Sequence, residues 1–150
     1  MNKISMDLET IYPIIEEVIA TGGEFRLYPR GTSMLPMLRQ GEDSVVLSAL
    51  GDVAVNDVIL YKRDDGSFVL HRLVKIKGEE LVMCGDNQFE LEYGITRAHA
   101  LAKLSCFYRG NTKITLDNKD YQKYLKTLPR VRRKRKIRAI LSKIKHKIFK

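Results

Sequence analysis

The sequence has no apolar run of the roughly 18 residues needed to cross a bilayer. Its first residues also lack the basic start, apolar block and small-residue cleavage site of a secretory signal. Both absences lead to the expectation of a protein that stays on the side of the membrane where it is made, cytoplasmic or peripheral on the inner face. Two cysteines, Cys84 and Cys106, are too few for a disulfide framework. Each lies in an apolar strand-like run, where a free thiol is usually a small buried hydrophobe, so a reduced setting fits best, with a single bridge left open. There is no internal repeat and no low-complexity linker between residues 24 and 110. No cofactor and no metal are expected.

The longest stretch without acid is the C-terminal one, from residue 121 onward. Residues 130–150 hold eleven of the 27 Lys and Arg and none of the 18 Asp and Glu. Residues 1–129 therefore carry 16 bases against 18 acids, a net of −2, although the whole chain stands at +9. The body is near neutral and the basic character belongs to a tail. With 150 residues and 44% hydrophobic composition, the chain can bury one core and is most simply a single domain.

What is present reads as short strands between turns. A helix is expected over 7–21, capped by Asp7, with Leu8, Ile11, Ile15, Val18 and Ile19 at helical spacing and Gly22-Gly23 as its stop. Pro13 sits deep for a first-turn proline, which suggests a regular helix from about Tyr12. Glu24 to Arg30 alternates as a strand, followed by apolar strands at Ser44–Leu47 and Val58–Tyr61. Asp65-Gly66 suits the positive-φ positions of a tight hairpin and joins that last strand to Phe68–Ile76. Further strands are expected at Leu81–Cys84 and Ala98–Tyr108. This spacing argues for a mostly β domain rather than βαβ units. Asp117–Leu128 reads as a short helix punctuated by Pro129. Beyond it, Ile137, Ile140, Leu141, Ile144 and Ile148 occupy one face of a basic amphipathic helix. The expected divisions are an N-terminal helix over 1–23, a β domain over 24–116 and a helical basic tail over 117–150.

Three places could carry chemistry. Ser33 stands between Gly31 and Pro36, a flexible and a φ-locked residue that together place a hydroxyl in a defined turn. A serine nucleophile needs a general base, and histidine is the natural one at neutral pH. His146 lies in the tail and His99 has no telling surroundings, but His71 is polar in the middle of an apolar strand. Asp86 follows a strand within Gly85-Asp86-Asn87. Singly, each has a plain structural explanation: a turn, a core histidine, an aspartate bonding its own backbone.

Their order along the chain is more specific. Gly-Thr-Ser-Met-Leu-Pro at 31–36, Asn-Asp-Val-Ile-Leu-Tyr at 56–61, Leu-His-Arg-Leu-Val at 70–74 and Cys-Gly-Asp-Asn-Gln at 84–88 resemble the boxes of the type I signal peptidases and the related SOS-repressor-type autoproteases. The resemblance covers about residues 24–110. Because His71 precedes Arg72 where the classical bacterial enzymes carry Lys, it is to the endoplasmic-reticulum-type, Ser-His enzymes. It implies a curled antiparallel β fold and a serine endopeptidase acting on a leader or signal-like peptide, with small residues before the cut. Ser33 would be the nucleophile, His71 the base and later acid, and Asp86 the group that orients or charge-stabilises His71. The oxyanion hole would use the Ser33 amide and a donor near Gly31 and Thr32. Met34, Pro36, Asp57, Arg72, Gly85 and Asn87 complete the matching boxes. The chain departs from that pattern at Asn56-Asp57, where Gly-Asp is usual, at Gly41-Glu42-Asp43, which has an added residue, and in lacking a spanning helix.

Other classes are weighed against this. A self-cleaving repressor is disfavoured, since the 32 residues before Ser33 contain no Ala-Gly or Cys-Gly bond. Nucleic-acid binding through the tail is disfavoured because interleaved aromatics are absent from it. An anionic membrane surface suits residues 130–150 better. A catalytically inactive peptidase fold used for binding is the remaining alternative.

Overall fold

The computed structural model describes residues 8–148, so the expected Asp7 cap lies outside the described residues. Nine elements follow in order: α1 (Leu8–Ala20), β1 (Phe25–Leu27), β2 (Ser44–Ala49), β3 (Val58–Lys62), β4 (Phe68–Lys77), β5 (Glu80–Cys84), β6 (Ala100–Arg109), β7 (Thr112–Thr115) and α2 (Lys119–Ile148). All strand pairs are antiparallel, in one seven-stranded sheet of order β1-β2-β6-β3-β4-β5 with β7 paired to β6. The mostly antiparallel β architecture with a helix at each end is therefore as the sequence suggests. Among the described residues no helix is long and apolar enough to cross a membrane. Both cysteines are free and buried.

Local chemistry explains the boundaries. The α1 helix closes with the Gly22 and Gly23 amides bonded to the Ile19 and Val18 carbonyls at 3.0 and 2.9 Å, the paired bonds of a Schellman cap. Helix α1 already runs from Leu8, four residues before Tyr12, with Pro13 inside it. Packing holds that first turn: Leu8 and Ile11 lie on the main core, and the Tyr12 ring sits 5.0 Å from Phe68. Strand β1 stops at Leu27 rather than Arg30. Pro29, two residues on, has no amide to give a ladder.

The sheet is buried on both faces. Ile15 of α1, Met34, Met37 and Leu38 of the serine turn, and Tyr121, Leu125 and Leu128 of α2 cover one face with Val45, Leu47, Val58, Leu60, Leu104 and Phe107. Ile59, Tyr61, Leu73, Leu81, Met83 and Ile95 form a second core on the other. Each fully buried aliphatic or aromatic side chain contributes about 1.5–3 kcal/mol. In β6 the expected alternation fails at one point. Val46 pairs with Cys106 but Leu47 with Leu104, so Ser105 bulges and Phe107 turns into the main core beside Tyr121.

The largest difference from expectation is α2, which is one helix of 30 residues with Pro129 inside it. Asn118 caps it, accepting the Tyr121 amide at 3.0 Å. Proline removes one amide from the helical ladder. Here buried Tyr121, Leu125 and Leu128 on one side, and the Arg135 contact to the body on the other, hold the helix across the defect. The segment 117–128 is thus part of the body's core, and only the later turns stand away from it.

Candidate active site

Ser33 reaches its position through its backbone. Gly31 has φ +86°, in the left-handed region that favours glycine. The chain then turns so that Met34 drops into the core at 5% exposure while Gly31 and Thr32 stay exposed and Ser33 half-buried. The Ser33 carbonyl accepts the Asn87 amide at 2.8 Å, and Asn87 Nδ2 donates to the Thr32 carbonyl at 3.1 Å. Gly85 permits this docking: a Cβ there would lie 2.6 Å from the Ser33 carbonyl oxygen. Arg72 pairs with Cys84 across β4 and β5, so one further step of that register sets Gly85 opposite His71. The structure therefore gathers the Ser33 turn, the His71 strand and the Gly85–Asn87 turn at one corner of the sheet.

It does not join Asp86 to His71 by a hydrogen bond among the described residues. Neighbouring strand residues point to opposite faces, and Asp86 is on the Arg72 side. Arg72 Nε and Nη2 donate to Asp86 Oδ1 and Oδ2 at 2.7 and 2.8 Å, with both side chains fully buried. Arg72 Nη1 also donates to the Asn56 carbonyl at 2.7 Å and the Tyr121 hydroxyl at 3.0 Å. The Tyr124 hydroxyl donates to Asp86 Oδ2 at 2.7 Å, and Arg135 donates to the Asp86 carbonyl. Burial opposes the charge on Arg72, but its bonds to Asp86 outweigh that and raise its pKa further. This is a closed, charge-assisted knot.

His71, at 6% exposure, faces the second core. Its Nδ1 lies 3.2 Å from the Tyr61 hydroxyl, which in turn donates to Glu92 Oε1. Arg63 Nε holds Glu92 Oε2 at 2.7 Å. Burial pulls the Glu92 carboxyl up, but bonds from Arg63 and Tyr61 outweigh it and hold the pKa below its ordinary value. Burial and then Glu92 raise the Tyr61 pKa, so the phenol keeps its proton. That one proton goes to the carboxylate, which leaves the phenol oxygen to accept from His71 Nδ1–H. The imidazole is thereby set with its lone pair on Nε2. Burial first, and then the Arg63 charge, lower the His71 pKa below 6.5, favouring the neutral ring at pH 7. Glu92 and Asp86 act in the opposite direction, Asp86 as the last and through space.

Tyr61, Glu92, Arg63 and Tyr124 were not expected from the sequence. Glu92 lies in an irregular segment that bonds to the Met83 backbone, 31 residues from Tyr61, and only the folded chain brings the two together. The motif departures are accommodated locally. Asn56 has φ +83°, a conformation that asparagine tolerates almost alone among non-glycine residues, which explains it where Gly is usual. Asp57 Oδ2 accepts the Ala54 amide at 2.8 Å, as a turn residue. Asp43, despite the added residue before it, is buried and bonded to Arg39 and the Gly110 amide, which outweigh burial and bring its pKa to about 2. The Pro36 carbonyl accepts from Arg109 Nη2 at 2.8 Å. The Gly31 amide donates to Gln40 Oε1 at 2.8 Å and is thereby engaged.

A cleft of about 670 Å³ opens at the serine turn, lined by Ser33 and Met34, by Arg26–Arg30, and by Phe68, Val69 and Leu70 at the start of β4. Strand β1 is at the sheet's edge beside it. Cys84, next to this corner, is buried, and burial pushes its thiol up, away from nucleophilic form. His99 is tied to Asp64 at 2.7 Å and to the Thr96 amide at 3.0 Å, a structural role. No three His, Cys, Asp or Glu side chains are grouped to hold a metal among the described residues. In comparisons with known proteins, the chain matches no family model, no curated protein and no solved structure.

Proposed function

We propose that this chain is a serine endopeptidase of the signal-peptidase-like kind, cutting an extended leader or signal-like peptide with Ser33 and His71. The observation that carries the reading is the Tyr61–Glu92 chain, which protonates His71 on Nδ1 and frees Nε2, on the strand beside the Gly85–Asn87 turn to which the Ser33 carbonyl is bonded.

In the reaction, His71 Nε2 takes the Ser33 hydroxyl proton as Oγ bonds to the scissile carbonyl carbon. The carbonyl π electrons move to oxygen. When the tetrahedral species collapses, the C–N bond breaks and the His71 proton passes to the leaving amine. A water molecule, deprotonated by the same nitrogen, then hydrolyses the acyl-serine and returns the proton to Ser33. With the Gly31 amide engaged, the Thr32 and Ser33 amides are the assigned oxyanion donors. Asp86 is assigned to Arg72 and to holding the corner, and of the orienting or charge-stabilising role expected of it toward His71 only the through-space charge is kept. The edge strand β1 and the adjoining cleft suit a substrate added as an extra strand, its side chains entering the 670 Å³ space.

The test is digestion of a peptide library, with products mapped by mass spectrometry. Wild-type protein should yield a defined set of cleavages with small residues before the cut, and Ser33→Ala should lower the rate at least about a thousandfold. Equal cleavage by a folded Ser33→Ala protein would remove the assignment. Binding of peptides with no cleavage by the wild type would favour the inactive-fold alternative.

A further inference from the structure

We propose that the outer half of α2 docks on an anionic lipid bilayer, independently of the peptidase reading. Ile137, Ile140, Leu141, Ile144 and Ile148 are 49, 49, 58, 47 and 68% exposed, the largest run of bare aliphatics among the described residues. At about 100° per residue they fall within an arc of roughly 100°, a single stripe along the helix. Lys136, Lys143 and Lys147 flank one side of that stripe, and Lys134, Arg138 and Lys145 the other. No Asp or Glu follows Asp120.

The structure adds what the pattern alone did not carry. The arm is not a loose tail but the continuation of a helix whose first turns are buried in the core, and which is bonded to Asp86 through Tyr124 in those turns and Arg135 at the base of the arm. From Arg135 to Ile148 it extends about 20 Å at the rise of an α-helix. A bilayer interface takes the aliphatic stripe while the flanking lysine and arginine stems reach outward to anionic headgroups. A second copy of this helix would set one run of bases against another. A nucleic acid would take the charges and leave the five aliphatics in water. Anionic lipid satisfies both features, and docking would seat the Ser33 corner at a fixed distance from the membrane.

The experiment is co-sedimentation of the full chain with phosphatidylcholine vesicles, with and without phosphatidylglycerol, beside a duplex DNA retention assay. Binding should be at least about tenfold tighter to the anionic vesicles. Ile140→Glu with Ile144→Glu, at half-exposed positions, should abolish it without altering the circular dichroism spectrum. Lys143→Gln with Lys147→Gln should weaken it about 25-fold, each basic residue near the surface being worth about fivefold. Ser33→Ala should bind as the wild type does. Undiminished vesicle binding by the Ile140→Glu, Ile144→Glu protein would overturn the proposal. So would retention of DNA, or self-association in sedimentation equilibrium, by a protein that ignores anionic vesicles.

Discussion

Two adjacent residues of β4, His71 and Arg72, face opposite sides of one sheet and sit in opposite kinds of surroundings. Arg72 spends its donors on Asp86, the Asn56 carbonyl and Tyr121, and its partners are bonded in turn. His71 makes a single bond, through Nδ1, to a phenol backed by a carboxylate. One side is closed and stabilising. The other is open by one nitrogen. The difference teaches that the aspartate of Gly85-Asp86-Asn87 can secure this corner of the sheet without touching His71.

The comparison has sharp consequences. Arg72→Ala leaves the Asp86 carboxylate buried without its partner and should cost about 3–5 kcal/mol in urea denaturation. His71→Ala should cost less than half as much while removing the proposed activity. A reversal of that order would contradict the division of labour between the two faces. Tyr61→Phe keeps the ring in the second core but takes away the acceptor for His71 Nδ1–H. It should leave the fold intact and lower kcat/KM at least about tenfold, whereas an unchanged kcat/KM would make Tyr61 a packing residue only. The smallest effect is a shift of pH. Glu92 raises the His71 pKa, so Glu92→Gln should lower it and move the acid limb of the kcat/KM profile to lower pH. An acid limb that does not move would mean that the Glu92 charge does not reach the ring.

Much of the corner was legible in the chain. The Ser33 turn docks on Gly85-Asp86-Asn87, and β4 with His71 and Arg72 runs beside that same turn. Six of the seven strands lie where apolar runs and Asp-Gly or Asn-Asp turns place them, while β7 at Thr112–Thr115 was not expected. What sequence could not decide was which of His71 and Arg72 looks at Asp86, because register and sheet face are settled only by pairing. Glu92 was hidden for another reason: it lies outside any periodic segment, and its role exists only through a contact 31 residues away. In α2 the sequence does carry a signal for the longer helix. Tyr121, Leu125 and Leu128 stand at helical spacing and are buried, which carries the helix through Pro129 despite the local preference to end there.

The central claim is that His71 is a neutral base held by Tyr61 with Nε2 free. Long-range ¹⁵N–¹H correlation spectra of the His71 imidazole, recorded across a pH titration, address it without any substrate. The account predicts a ring protonated on Nδ1 alone at pH 7, titrating below 6.5, with the Nδ1 preference lost in Tyr61→Phe. A ring protonated on Nε2 at pH 7, or an imidazolium at that pH, would contradict it.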